Sequence, residues 1–202
     1  MESQKTEELV QAVLGRIFVE LEASGRHVHV TKEQAMALFG HPLTPKRPLS
    51  RPGQYLAGER VTVQGPKGQL EHVAVLGPER KDAQVEISLT DGRSLGITPP
   101  VRASGKVDNS PGCVLVGPMG RVELNQGVIA AQRHIHMTPE AAQLMGVKDK
   151  QVVKLQTYTT RPLIFQDVLV RISPDYATYV HLDYDEANAC GFRPGDLGRI
   201  LT

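Results

Sequence analysis

The sequence predicts a mainly β protein with short helices, in which two internally related small β-barrel domains follow an N-terminal helix. Three observations support this fold class. Short segments alternate between apolar and polar residues and are rich in β-branched side chains, which is typical of strands. Glycine (19 residues) and proline (14 residues) are frequent between these segments, which favours tight turns. A ten-residue motif also occurs twice, which indicates that one β-rich unit has been duplicated.

The predicted strands are distributed over the chain after its first 25 residues. Each strand is short, and Gly-Pro, Pro-Gly or Pro-Pro pairs separate several of them. Many short strands at this spacing favour small barrels over a parallel sheet wrapped by helices. The segments assigned as strands are residues 60–64, 72–76, 84–88, 151–155, 167–171 and 178–182.

The first 25 residues predict an amphipathic helix that begins near Thr6 and ends by Gly25. Apolar residues recur there at spacings of three and four, which places them on one helix face. Such a face either packs on the protein's own core or serves as a docking or targeting peptide. Because no flexible linker follows the helix, we expect it to pack on the core. The apolar positions are Leu9, Val10, Val13, Leu14, Ile17, Phe18 and Leu21.

The duplicated motif aligns residues 26–35 with residues 133–142. In each copy, a strand carrying His-x-His runs into a helix whose N-cap is Thr31 or Thr138. Fainter correspondences extend through the rest of both halves, so the halves are interpreted as two copies of one unit. Three domains follow from this division: an N-terminal helix (residues 1–25), a first β-barrel (26–131) and a second β-barrel (132–202).

The two His-x-His pairs are candidate metal ligands. Residues i and i+2 of a strand project to the same face, so each pair sets two imidazoles side by side. Such pairs suit zinc or another borderline metal, and the repeat predicts a third ligand at matching positions of the two halves. Three protein ligands are expected at a catalytic zinc ion that keeps an open position. The two candidate sets are His27, His29 and Glu86, and His134, His136 and His181.

Four further residues have side chains that can bind anions or metals, or act as nucleophiles. Arg80 lies six residues before Glu86 and is the candidate for binding an oxyanion, because a guanidinium offers two parallel hydrogen bonds. The alternative for Arg80 is a solvated loop residue. Cys190 is interpreted as a small buried residue at the start of a turn, with a ligand or a nucleophile as the alternative. His41 and His72 lie outside the repeat and are assigned to the surface or to loops.

Composition excludes several classes of function. The 23 Lys and Arg residues are balanced by 22 Asp and Glu residues, so the net charge does not favour binding to nucleic acid. No apolar run approaches the roughly 20 residues that span a bilayer, so no membrane partner is expected. The N-terminus is acidic, which argues against a signal peptide. The two cysteines form no Cys-x-x-Cys pair, which fits a reducing cytoplasm.

Several segments together resemble the Pdu-type phosphate propanoyltransferases, a family of zinc-dependent phosphotransacylases. The likeness extends from about residue 24 to the C-terminus, and its motifs are specific in combination. Gly25 is a departure, because the family pattern leads us to expect alanine before Arg26. The segments that carry the resemblance are residues 26–30, 77–80 with 84–86, 99–105, 112–118 and 133–137.

The resemblance implies two β-barrels with two zinc ions at their junction, and an N-terminal helix packed with the C-terminal half. It implies reversible transfer of an acyl group between coenzyme A and phosphate, in the cytoplasm or inside a bacterial microcompartment for propanediol degradation. It also leads us to expect a homodimer or a higher homo-oligomer, with a microcompartment shell as a further partner. The residues that the resemblance maps to zinc are the two sets above, and Arg80 matches the active-site arginine.

The expected chemistry is direct attack by phosphate, oriented by Arg80, on the thioester carbon of an acyl-CoA. The metals would act as Lewis acids toward the leaving thiolate or the developing oxyanion. Two rival functions stay open. A binuclear metallohydrolase would use metal-bound hydroxide in place of phosphate. A non-catalytic scaffold would use zinc to hold two barrels together. The sequence does not assign the residues that bind coenzyme A.

Overall fold

A computed structural model of the chain describes Gly15 and residues 17–201. Within these residues the protein is mainly β, with four short helices. The helices are α1 (Lys32–Phe39), α2 (Leu89–Leu95), α3 (Pro139–Met145) and α4 (Tyr184–Cys190). The strands are β1 (Val19–Ala23), β2 (His27–His29), β3 (Pro45–Pro48), β4 (Tyr55–Gln64), β5 (Gln69–Gly77), β6 (Gln84–Glu86), β7 (Val101–Arg102), β8 (Cys113–Val116), β9 (Arg121–Leu124), β10 (Val128–Ala131), β11 (His134–Met137), β12 (Val152–Tyr158), β13 (Ile164–Ile172), β14 (Tyr179–Leu182) and β15 (Leu197–Leu201).

The chain divides into two compact units, each with its own hydrophobic core. The first unit contains Gly25–Gln132 together with the short segment Asp183–Asp185. The second unit contains the described residues before Gly25, Arg133–Leu182 and the described residues from Glu186 onward. The second unit therefore gathers both ends of the described chain around one core.

The second unit is a closed six-stranded barrel with the strand order β1-β14-β11-β13-β12-β15. Strand β1 closes it by pairing parallel to β14 and antiparallel to β15. Apolar side chains fill its interior, and Leu21, Ile135, Met137 and Leu155 are almost wholly buried there. Because side chains of a strand alternate between its two faces, the residues between these core positions lie on the opposite face of the barrel wall.

The first unit is an open sheet of nine strands, with the order β7-β10-β6-β2-β5-β4-β8-β9 and with β3 paired to β4. Short strands are predicted correctly here, but the predicted first barrel (residues 26–131) is a curled half-barrel sheet and not a closed barrel. Strands β7 and β9 stand at the two ends of the pairing order, and the structure gives no pairing between them within the described residues. Strand β7 has only two residues, so it offers few backbone groups with which to close a barrel.

The predicted N-terminal helix is wrong at its C-terminal end. Val19–Ala23 forms strand β1, and its buried positions Val19 and Leu21 alternate with Glu20 and Glu22. This alternation has the period of a strand, and the spacings of three and four had concealed it. The predicted helical positions Thr6, Leu9, Val10, Val13 and Leu14 lie outside the described residues.

The duplication predicted from the motif has a counterpart in the strand pairing. Strand β2 lies between the parallel β5 and the antiparallel β6, and β11 lies between the parallel β13 and the antiparallel β14. A helix follows each His-x-His strand, and the predicted N-caps Thr31 and Thr138 are confirmed. Within the part of the chain that the structure describes, no helix has the length and apolarity needed to cross a membrane.

Candidate metal centres

The first predicted set is brought together in the first unit. His27 and His29 project from β2, and Glu86 projects from the neighbouring β6, where its Cα is the register partner of His27. All three side chains are buried, with residue exposures of 7%, 2% and 7%. One nitrogen or oxygen atom from each lies within 4.8 Å of those from the other two. A single metal ion could therefore contact all three.

Both imidazole rings of this triad are oriented by backbone carbonyls. The Nδ1 atom of His27 lies 2.8 Å from the carbonyl oxygen of Gly25, and Nδ1 of His29 lies 3.2 Å from that of Leu76. A carbonyl oxygen can only accept, so in each hydrogen bond Nδ1 carries the proton. This tautomer presents the lone pair of Nε2 as the group that binds a metal.

The carboxylate of Glu86 is held by two side-chain donors. The Ser104 hydroxyl donates to its Oε1 atom at 2.7 Å, and the Gln84 amide nitrogen donates to the same oxygen. The backbone N–H of Gly105 donates to Oε1 of Gln84 at 2.7 Å, which fixes the direction of the Gln84 amide. A turn that contains Ser104 and Gly105 thus clasps Glu86 from one side.

The electrostatics of the triad favour the metal-binding states of Glu86 and His29, whereas His27 gives up a proton to Glu86 or to solvent when a metal binds. Burial would raise the pKa of Glu86, but His27 and Ser104 outweigh it and hold that pKa well below its usual range. The pKa of His29 is lowered to about 2, mainly by burial and further by the charges of His27 and Arg80. Burial also lowers the pKa of His27, but the Glu86 carboxylate more than offsets this and leaves it raised. Glu86 is therefore an anion and His29 a neutral ligand near neutral pH, as metal binding requires.

Arg80 lies in the loop between β5 and β6. Its backbone N–H donates to the carbonyl oxygen of Val30 at 2.9 Å, which ties the loop to the segment that follows β2. The side chain is half-buried, and burial lowers the pKa of its guanidinium, while Glu86 acts in the opposite direction. Arg80 also borders a pocket of about 220 Å³. The pocket is lined by Arg80, Lys81, Asp82, Ala83, Gln84, Gly105 and Val107.

The second predicted set is brought together in the second unit. His134 and His136 project from β11, and His181 projects from β14 as the register partner of His134. The ring centroid of His181 lies 4.9 Å from that of His134 and 4.6 Å from that of His136. One ring nitrogen from each residue lies within 4.8 Å of the others. The register is the one that pairs His27 with Glu86 in the first unit.

Three neighbours of this second triad were not predicted. The Tyr176 ring stacks on His136 with centroids 4.0 Å apart, and the guanidinium carbon of Arg171 lies 6.0 Å from the Tyr176 centroid. The Oε2 atom of Glu22 lies 3.4 Å from Nδ1 of His181. Arg171 belongs to a strand whose alternation is visible in the sequence, whereas Glu22 belongs to β1, whose alternation the helical spacing concealed, and no repeat marks either residue.

Comparison with known proteins identifies the family of this chain. The phosphate propanoyltransferase family matches residues 20–193. The chain belongs to this family. A phosphate propanoyltransferase of Enterococcus faecalis is 52% identical over 202 residues, which cover 96% of each chain. One of Listeria monocytogenes is 52% identical over 197 residues (96% of this chain, 92% of the relative), and one of Thermotoga maritima is 48% identical over 200 residues (98% and 95%).

Membership of the phosphate propanoyltransferase family confirms the resemblance read from the motifs, and with it the prediction of an acyltransferase. All six predicted ligands lie within the matched residues, as does Arg80. The chain spans nearly the whole length of these relatives, so the family assignment applies to both units.

The cysteines and remaining histidines of this family member lie outside both triads. Cys113 and Cys190 are buried free thiols, and burial raises the pKa of Cys113 to about 12. Burial also raises the pKa of Cys190, whose thiol donates to the carbonyl of Ala187. Both thiols are therefore protonated near neutral pH. A cysteine that acts as a nucleophile or as a zinc ligand must instead be a thiolate. His41 and His72 are exposed, as predicted.

The chemistry of the two donor sets fits zinc. Two imidazoles with one carboxylate, and three imidazoles, are both ligand sets of catalytic zinc sites, which leave one coordination position open. The fixed Nδ1 protons of His27 and His29 and the donors around Glu86 are the outer partners that orient such ligands. The structure therefore supports two candidate metal centres, one in each unit.

Proposed function

We propose that this protein interconverts a short-chain acyl-CoA and phosphate with an acyl phosphate and coenzyme A, using zinc held at both triads. The observation that carries the proposal is the pair of three-ligand sites in a member of the phosphate propanoyltransferase family. A three-ligand set leaves a position for a substrate atom, whereas structural zinc sites are usually closed by four ligands. This feature favours an enzyme over a zinc-stabilised scaffold.

The chain's own residues have distinct tasks in this proposal. His27, His29 and Glu86 would hold a zinc ion, which when bound would supply Lewis-acid stabilisation to the oxygen or sulfur atom that gains negative charge. Ser104 and Gln84 keep Glu86 ionised and oriented. Arg80, on the wall of the neighbouring pocket, binds the phosphate oxygens through parallel hydrogen bonds and orients the nucleophile.

The bond changes need no covalent enzyme intermediate. A phosphate oxygen forms a bond to the thioester carbon, the carbon–sulfur bond breaks, and the thiolate of coenzyme A leaves. The buried and protonated thiols of Cys113 and Cys190 are poor candidates for a nucleophile that would carry the acyl group. Holding both substrates in register supplies much of the rate advantage. The relatives are named phosphate propanoyltransferases, and this favours propanoyl-CoA as the substrate.

The proposal is tested by following coenzyme A release from propanoyl-CoA and acetyl-CoA with and without phosphate. Acyl phosphate should form only with phosphate present, should stop after metal removal and should return when zinc is restored. Release of free acid at the same rate without phosphate would replace this function with that of a metallohydrolase. Full activity of metal-free protein would rule out the metal role. The predicted homo-oligomer and the predicted cytoplasmic or microcompartment location stay predictions.

A further inference from the structure

A carboxylate lies in line with the second triad across three neighbouring strands of the barrel. Glu22 on β1 is the register partner of His181 on β14, which is in turn the register partner of His134 on β11. The preceding residue on each of the first two strands, Leu21 and Val180, is buried in the barrel core. Side chains alternate along a strand, so Glu22 and His181 share the face of the barrel wall that carries the triad.

Glu22 contacts the outer nitrogen of His181. Its Oε2 atom lies 3.4 Å from Nδ1 of that ring. The His181 side chain is 13% exposed and that of Glu22 is 35% exposed, so water reaches the carboxylate more readily than the ring. Since Glu22 is this accessible, its replacement should leave the barrel folded. An effect of such a replacement on metal binding can then be separated from an effect on the fold.

The two metal centres differ in where their negative charge lies. In the first, Glu86 is itself one of the three candidate ligands, and the outer nitrogens of His27 and His29 face uncharged carbonyls. In the second, all three candidate ligands are imidazoles, which are neutral when they bind a metal. A carboxylate that accepts a proton from the outer nitrogen of a ligating histidine fixes its tautomer and increases the basicity of the ring.

We propose that Glu22 is a positioning residue of the second metal centre. Its carboxylate accepts the Nδ1 proton of His181, holds the ring so that Nε2 binds the metal, and supplies the negative charge that the three imidazoles lack. This inference rests on metal binding at the second triad, which is part of the proposed function. It also gives the N-terminal strand a role in the chemistry beyond closing the barrel.

The test measures zinc affinity without turnover, by competition with a chromophoric chelator. All variants are made in protein that also carries His27→Ala, so that zinc binds mainly at the second triad. Adding Glu22→Ala should weaken zinc binding roughly 10- to 100-fold, which is the usual loss for an outer partner of a metal ligand. Glu22→Gln keeps an acceptor oxygen but loses the charge, so its loss should be smaller. Glu22→Asp keeps the charge and should recover most of the affinity.

Glu20→Gln is the matched control, because Glu20 lies on the same strand and face but pairs with Tyr179. It should leave zinc affinity unchanged, and thermal unfolding of all metal-free variants should coincide. Unchanged affinity in Glu22→Ala, or an equal loss in Glu20→Gln, would overturn the role of Glu22 while the proposed function stands. Absence of zinc binding in the His27→Ala parent would overturn the second metal centre itself.

Discussion

Replacing Ser104 by alanine removes a hydrogen bond to a carboxylate and leaves the rest of the first triad in place. The Ser104 hydroxyl donates to Oε1 of Glu86 at 2.7 Å, in a part-buried position. A hydrogen bond to a charged group contributes about 1.5–3 kcal/mol, and about 1.4 kcal/mol changes an equilibrium constant tenfold. Gln84 still donates to the same oxygen in the variant, so we expect the lower end of this range. Zinc binding at the first triad should weaken about tenfold.

The assay is chelator competition in a His134→Ala background, in which the first triad is the principal site loaded. Ser104→Thr keeps the hydroxyl and should bind zinc nearly as tightly as the parent. Ser110→Ala is the matched control, because the Ser110 hydroxyl donates to Val107 and accepts from Gly127, with no contact to Glu86 in its hydrogen bonds. Equal zinc affinity in Ser104→Ala and its parent, or an equal loss in Ser110→Ala, would refute the clasp around Glu86.

Three further outcomes follow from the site and the fold. Arg80→Lys should keep its zinc but lose about 2–4 kcal/mol of transition-state stabilisation, seen as a raised phosphate KM or a lowered kcat, with little change in the KM for acyl-CoA. Wild-type behaviour toward phosphate would make Arg80 a solvated loop residue. Deleting residues 1–22 removes most of β1 and should lower solubility and thermal stability; an equally stable, active product would contradict this. Leu155→Ala should cost about 2–5 kcal/mol in denaturant unfolding, and a loss under 1 kcal/mol would contradict tight packing of the barrel.

The two groups of candidate ligands could be found from the sequence because their positions follow simple rules. The period of a strand places His27 beside His29 and His134 beside His136. The internal repeat then locates the third member of each group, because matching strands carry it at matching register. The structure shows the geometric basis, since Glu86 and His181 are both paired across from the first histidine of their motif.

The clasp around Glu86 could not be found in this way. Ser104 lies 18 residues after Glu86, and the contact depends on how the loop after β7 folds back toward β6. No periodicity describes such a return. Tyr176 was missed for the same reason, because it reaches the second triad through tertiary packing. Glu22 was missed because apolar residues at helical spacing concealed the strand that carries it.

The fold class was predictable, but the closure of each sheet was not. Alternating segments identify strands one at a time, whereas a barrel closes only if its first and last strands pair. In the second unit β1 makes this closure with β14 and β15. That strand was hidden by apolar residues upstream at helical spacing, including Ile17 and Phe18. In the first unit the order ends in the two-residue strand β7, and the sheet stays open.

The duplicated metal centre is tested most directly by the zinc content of fully loaded protein, measured by elemental analysis against protein concentration. Two zinc ions per chain are expected. His134→Ala should reduce the content toward one ion and abolish acyl transfer, because it removes one ligand of the second triad alone. A content of one ion in the fully loaded, unmutated protein would contradict the duplicated centre.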